Sequence, residues 1–173
     1  MKKSLLWWSV VGFVVTGVAG TVLHFVYDLS NHNIIIGLFS AINESVWEHM
    51  KLLFFPTALF SFVKSIYLKK EYQNFWYSQL KGICKGLITI PTIYYFYTGI
   101  FGINVDWFNI TIFFVATAVT YITEWRTLKK DKKGFFSEKI SIAIMGAIAM
   151  LFFAFTFVPP QIPIFEDPQY RKC

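Results

Sequence analysis

The sequence predicts an all-α integral membrane protein, a bundle of five transmembrane helices. Of its 173 residues, 55% are hydrophobic and 20% aromatic, whereas only 15% are charged. A soluble domain carries about 25% charged residues, because polar side chains must cover its surface. Two cysteines and ten glycines without a repeating period exclude a disulfide scaffold and a collagen-like chain. The composition therefore indicates a chain whose surface faces lipid.

Five segments are long and apolar enough to cross a bilayer, which takes about 20 largely apolar residues. The predicted spans cover residues 5–27, 46–68, 84–103, 107–128 and 140–158. Each is bounded by charged residues or by Gly, Asn or Pro. The connections between them are too short for a soluble domain, so residues 1–173 are predicted to form a single transmembrane domain.

The ends of the spans follow from local composition. The first span follows Lys2 and Lys3 and is an unbroken apolar run. The second carries Pro56 and Lys64 within its apolar run. A short segment containing Asp106 separates the third span from the fourth, and a lysine-rich connection separates the fourth from the fifth. A proline-rich tail follows the fifth span, because proline cannot continue a helix.

Lysine and arginine are concentrated on one side of the predicted bundle. With five spans, only Lys51, Arg171 and Lys172 lie on the other side. Since basic residues collect in cytoplasmic connections, we expect a cytoplasmic N-terminus and an outside C-terminus. The net charge of +6 does not indicate nucleic-acid binding, because no basic stripe alternates with base-stacking residues on a soluble face. Anionic lipid is the expected neighbour of the lysines.

Ionisable side chains gather at the outer ends of the first two spans. His24 and Asp28 are one helical turn apart in span one, and Glu48 and His49 lie at the start of span two. The two spans are antiparallel neighbours, so these groups fall at a similar depth. Ionisable groups at the edge of a membrane are energetically costly, and a functional site is the default interpretation for them.

Imidazole and carboxylate groups together are a suitable ligand set for zinc or manganese. The predicted metal ligands are His24, Asp28, Glu48 and His49. Glu48 and His49 point about 100° apart on a helix, so one of them is expected to lie behind the ligands or to act as a base. Glu44 and Glu48 are the predicted catalytic carboxylates, because a metal-activated water needs a neighbouring general base.

Four further residues are predicted to bind substrate. Tyr94, Tyr97 and Thr98 share one face of the third span and could line a pocket that leads to the acidic cluster. Asn43 lies directly before Glu44. The tyrosines also fit an aromatic belt at the membrane surface, which is the competing interpretation.

Three functions fit this pattern. The first is a metal-dependent hydrolase that acts on a lipid or lipid-linked substrate at the outer leaflet. The second is a small transporter or substrate-binding membrane component in which the same cluster binds a cation or couples protons. The third is a structural or regulatory protein, whose buried charges pin two helices without an ion.

Residues 43–51, which read N-E-S-V-W-E-H-M-K, resemble a motif of a family of small, uncharacterised bacterial integral-membrane proteins. In that family an N-E-S-x-W-E-H-x-K segment follows a first helix bearing a histidine, here His24. Residues 160–168 are similar to its C-terminal segment. The resemblance implies a location in the bacterial cytoplasmic membrane and assigns no reaction.

Overall fold

The computed structural model describes residues 2–130 and 132–168, with side chains from Leu5 onward. Arg171 and Lys172, which entered the prediction of orientation, lie outside the described residues. Within those residues the chain forms helices and no strand, which confirms the predicted all-α class. Five helices are long: α1 (Lys2–Leu29), α3 (Val46–Leu68), α4 (Phe75–Phe101), α5 (Asp106–Lys130) and α6 (Glu138–Phe157). A short helix α2 (Ile34–Gly37) and a 3-10 turn (Pro163–Phe165) complete the secondary structure.

Four of the long helices, α1, α3, α5 and α6, are long and apolar enough to cross a membrane. Their apolar side chains point outward as well as inward: Val18 is 61% exposed and Ile66 is 72% exposed. Such outward-facing apolar surface is stable in lipid and unfavourable in water. The chain is therefore a helical membrane protein.

Helix α4 is longer and more polar than the predicted third span. It begins at Phe75 and carries Lys81 and Lys85 in its first half. It packs closely along α5, because a Cβ atom at Gly82 would lie only 2.5 Å from Cγ of Glu124. Small residues of this kind allow two helix backbones to approach each other.

Buried polar groups join the helices in the interior of the bundle. Lys64 of α3 and Glu124 of α5 form an ion pair in which both side chains are 2% exposed. The hydroxyl groups of Thr16 and Tyr121 lie 2.7 Å apart and connect α1 to α5. Such groups are held in an apolar interior only when they are paired, so they define the relative position of α1, α3 and α5.

Candidate metal site

Two histidines and one glutamate meet at the end of the bundle opposite the lysine-rich connections. Nε2 of His24 lies 3.7 Å from Oε1 of Glu44, and Nε2 of His49 lies 3.4 Å from Oε2 of the same carboxylate. One donor atom from each residue lies within 4.8 Å of the others, and all three side chains are half-buried. We call these three residues the His–Glu cluster. Their spacing suits ligands around a single ion.

The position of Glu44 follows from the two turns that precede α3. The side chain of Asn43 accepts a hydrogen bond from the backbone N–H of Ser45, at 2.9 Å. Ser45 then caps the helix, because its hydroxyl oxygen accepts from the N–H of Glu48 at 3.3 Å. These contacts hold Glu44 between a local turn and a helix N-terminus. Asn43 and Ser45 of the sequence motif therefore fix the backbone on either side of Glu44.

The ring of His49 is oriented by its own helix. Its Nδ1 lies 2.9 Å from the carbonyl oxygen of Ser45. A carbonyl oxygen can only accept, so Nδ1 carries a proton, and Nε2 faces Glu44 with a lone pair in the neutral ring or with a second proton in the charged ring. A lone pair that faces a carboxylate is repulsive unless a proton or a cation lies between them. Metal-binding histidines are oriented in this way by a backbone carbonyl.

His24 lies on α1 and completes the cluster from the other side. Its ring centroid is 5.3 Å from that of His49. Its Nδ1 is buried and has no hydrogen-bond partner among the described residues. A buried imidazole nitrogen without a partner is unusual, because desolvation is then not compensated.

A cavity of about 280 Å³ adjoins the His–Glu cluster between α1 and α5. The polar lining residues on α5 are Asp106 and Asn109, while Phe25, Ile110 and Phe113 form an apolar wall. Phe25 is 56% exposed and Ile110 is 59% exposed, so the cavity opens at an apolar part of the protein surface.

The C-terminal segment returns to the same end of the bundle. Oδ2 of Asp167 accepts a hydrogen bond from the backbone N–H of Glu44, at 3.3 Å. The segment is held there by aromatic packing, with the ring of Phe165 4.8 Å from that of Trp47. Its negative charge is close enough to His49 to interact with the ring electrostatically. Asp167 thus adds a second carboxylate beside the cluster.

Asp28, a predicted ligand, lies away from the cluster. Its Oδ1 is 3.3 Å from Nε2 of His32, and both side chains are largely exposed. α1 ends at Leu29, and Asn31 and His32 adopt positive φ angles of 57° and 60°. The chain turns there, and Asp28 faces the surface of that turn.

Glu48, predicted both as a ligand and as a catalytic group, faces a different side of α3 from His49. Its Oε2 lies 2.6 Å from Nζ of Lys51 and accepts from the N–H of Ile42 at 3.0 Å. Lys51 also donates to the carbonyl of Gly37 at 2.8 Å and to the hydroxyl of Thr156 at 2.9 Å. The structure does not bring Glu48 to His24, because adjacent helical residues point in different directions.

The predicted substrate-binding residues of α4 differ in whether they reach the cluster. Tyr94 lines a small cavity together with Glu44 and His49. The hydroxyl of Tyr97 is 2.6 Å from the side-chain oxygen of Asn109, so it reaches the cluster cavity only through that residue. Thr98 donates to the carbonyl of Tyr94 at 2.8 Å. This bond lies within its own helix, and no contact connects Thr98 to the cluster among the described residues.

Asp106 and Asn109 are cavity residues that the sequence interpretation did not include in the site. They lie one helical turn apart in the first turns of α5. Their spacing is the signal that could have identified them, since two polar residues on one face of an apolar helix are expected to avoid lipid. Asp167 lay in a tail whose path sequence periodicity does not predict.

The fold and the cluster together indicate a helical membrane protein with a two-histidine, one-carboxylate cluster beside a partly apolar cavity. The chain belongs to a family of unknown function, DUF6512, which it matches over residues 1–172. This agrees with the uncharacterised family that the sequence resembles. Among curated proteins and among solved structures, none shows a detectable similarity to this chain.

Proposed function

We propose that the His–Glu cluster binds a divalent metal ion, zinc or manganese, and that the protein is a metal-dependent hydrolase. The main support is the orientation of His49. Its Nδ1 is hydrogen-bonded to the carbonyl oxygen of Ser45, and its Nε2 faces Glu44. Two histidines and one glutamate are also the ligand set of several catalytic zinc sites, in which a fourth position stays open for water. The adjoining cavity provides room for that fourth position.

The chemistry would be divided among the surrounding residues. An ion bound at the cluster would lower the pKa of a water molecule and polarise a substrate oxygen. Asp167, whose carboxylate accepts a hydrogen bond from the backbone N–H of Glu44, would accept a proton from the attacking water. Asn109 and Asp106 would orient the polar part of the substrate.

The cavity supports a lipid or lipid-linked substrate. Its apolar wall of Phe25, Ile110 and Phe113 would hold an acyl or isoprenoid chain, while the polar head would lie against the cluster. A lipid diffusing in the bilayer can enter between α1 and α5 without leaving the membrane. A fully water-soluble substrate would gain little from such a wall.

We also propose that α4 is the fifth transmembrane helix, with the N-terminus cytoplasmic and the cluster on the outer side. Its 27 residues would extend about 40 Å, more than the roughly 30 Å hydrocarbon core. Its lysines lie at the same end as the other basic connections, as the positive-inside rule requires. The family resemblance supports the bacterial cytoplasmic membrane as the location.

A transporter is the second candidate function, favoured by the buried polar groups between the cluster and the lysine-rich end. The hydroxyls of Thr16, Thr57 and Tyr121 are close neighbours, and the Lys64–Glu124 pair follows toward that end. Intramembrane ionisable groups are typical of cation and proton pathways. In this alternative the cluster would be the entry site for a cation.

Metal analysis of the purified protein tests the proposal. After incubation with zinc or manganese chloride and desalting, the wild type should retain about one ion per chain. His24→Ala and His49→Ala should lose that ion, whereas the exposed His32→Ala should retain it. A wild type that binds no metal, or equal loss from His32→Ala, contradicts the proposal.

Enzyme and transporter are separated in a second step. The metal-loaded protein should release product from a phospholipid or polyprenyl-phosphate ester in mixed micelles, and His49→Ala should not. If no member of such a panel is cleaved and liposomes instead show cation flux that Glu44→Gln abolishes, the transporter is the better interpretation.

A further inference from the structure

A second cavity, at the lysine-rich end of the bundle, is surrounded by positive charge. It has a volume of about 310 Å³ and lies between α4, α5 and the connection to α6. We call it the basic cavity. The cationic residues that line it are Lys81, Lys85, Arg126, Lys130, Lys132 and Lys133. No acidic side chain lines it among the described residues, and none of the ion pairs found there involves these six groups.

The backbone holds these cations in a concave arrangement. Lys81 and Lys85 are one turn apart on α4, and Arg126 and Lys130 are one turn apart on α5. The connection after α5 lies close against Tyr77, because a Cβ atom at Gly134 would come within 2.5 Å of that ring. Lys132 and Lys133 are thereby kept at the rim. Like charges at such spacing repel each other unless an anion lies between them.

The nearest acidic group on α6 does not neutralise the cavity. Oε1 of Glu138 accepts a hydrogen bond from the backbone N–H of Trp76 at 3.0 Å. Asn74, which also lines the cavity, donates to the carbonyl of Thr127 at 2.9 Å. These two contacts join the start of α4 to α6 and to α5, and neither involves a cation that lines the basic cavity.

An apolar groove of about 450 Å³ adjoins the basic cavity along α1 and α5. Leu6, Val10 and Phe13 form one wall of this groove, and Ile122 and Trp125 form the other. Arg126 lines both the groove and the basic cavity. A positively charged pocket that continues into an apolar groove matches the two halves of a phospholipid.

We infer that the basic cavity and the apolar groove together bind one anionic phospholipid. The phosphate would lie among the lysines, and one acyl chain would follow the groove between α1 and α5. Arg126 would stand at the junction, where a guanidinium group can donate two parallel hydrogen bonds to a phosphate. Basic pockets between helices on the cytoplasmic side are known to take anionic lipid headgroups. The inference does not depend on the function of the His–Glu cluster.

Native mass spectrometry of the full chain in detergent tests the inference. With phosphatidylglycerol we expect one tightly bound lipid, and with phosphatidylcholine we expect none retained at the same concentration. Arg126→Gln and Lys85→Gln should each weaken phosphatidylglycerol binding by about fivefold. The matched control is Lys129→Gln, an exposed lysine of α5 that lies over Trp125 and does not line the basic cavity. It should bind like the wild type.

The groove is tested separately with Val10→Phe, which fills it without changing charge. This variant should bind phosphatidylglycerol several-fold more weakly and should leave binding of inorganic phosphate unchanged. If inorganic phosphate competes as well as the lipid and Val10→Phe has no effect, the ligand is a free phosphate and the lipid inference is overturned. Equal weakening by Lys129→Gln and Arg126→Gln would show a diffuse charge effect, which also overturns it.

Discussion

Glu48 and His49 are adjacent in the chain and take part in two different arrangements of charge. Glu48 is buried, and its Oε2 pairs with Lys51 and accepts a hydrogen bond from the N–H of Ile42, while Lys51 also donates to residues of α2 and α6. His49 is half-buried beside a cavity, and it shares one carboxylate with a second histidine. The first arrangement satisfies its own charges. The second is left with donor atoms that need a cation or a proton. This difference separates a structural pair from a binding site.

The largest expected effect is loss of stability from Glu48→Ala. The substitution leaves the Lys51 ammonium buried without its carboxylate, which costs about 3–5 kcal/mol. The melting temperature in detergent should fall sharply. Replacing both partners, as in Glu48→Leu with Lys51→Met, should recover much of the loss, because no charge is then left unpaired. A melting temperature of Glu48→Ala equal to that of the wild type would show that the pair does not hold the fold.

The next effect is loss of metal from His49→Ala with little loss of stability. Removal of a residue that hydrogen-bonds to a metal ligand and orients it weakens metal binding by about 10- to 100-fold. Removal of the ligand itself should therefore weaken zinc binding by more than about 100-fold. Isothermal titration with zinc would measure the change. Because His49 is half-buried, the melting temperature of the metal-free protein should stay near that of the wild type. If His49→Ala destabilises the fold as strongly as Glu48→Ala, His49 has a structural role like that of Glu48 and the distinction between the two residues is wrong.

The pH dependence of zinc affinity provides a third test. Both imidazoles must be unprotonated to bind the ion, so protons compete with zinc for them. Zinc affinity should therefore rise with pH and level off once both rings are unprotonated, with a slope of up to two protons per ion at the acidic end. His32→Ala should give the same curve. A zinc affinity that does not change with pH over the whole range in which the protein stays folded would argue against histidine ligands.

The smallest effect is expected from Asp167→Asn. The amide keeps an oxygen that can accept from the N–H of Glu44, and it loses the negative charge beside His49. Zinc affinity should fall by about tenfold. The exposed Asp28→Asn is the matched control and should change nothing, because a surface pair with His32 contributes about 0–1 kcal/mol at most. Equal effects from the two variants would remove Asp167 from the site.

Hydropathy could predict the positions of the apolar helices. α3 occupies Val46–Leu68, the same residues as the second predicted span, because its ends coincide with a capping serine and a pair of lysines. For α4 the signal identifies only part of the helix. The predicted third span begins at residue 84, whereas α4 begins at Phe75, because Lys81 and Lys85 lower the hydropathy of its first half. Neighbouring helices supply the packing that makes it helical.

The site was only partly predictable for a related reason. The sequence predicts His24 and His49 as ligands and Glu44 as a catalytic carboxylate, because ionisable residues near the ends of two neighbouring spans fall at a similar depth. The sequence spacing of Glu48 allowed two partners, the metal or Lys51 one turn later. The outcome depended on where α2 and α6 lie, since Gly37 and Thr156 hold the lysine. Asp167 reached Glu44 through a tail whose course only tertiary packing determines.

The carboxylate of Glu44, which lies in the connection before α3, is placed between His24 of α1 and His49 of α3. His24 belongs to α1, whereas His49 belongs to α3 and Glu44 lies just before α3. α1 is also one wall of the cavity beside the cluster. An ion bound at the cluster would therefore hold α1 in place and fix the distance between α1 and α5 at the cavity. With spin labels at Val22 and Trp107, we expect the distribution of label-to-label distances to become narrower when zinc is added. In His49→Ala the distribution should stay broad.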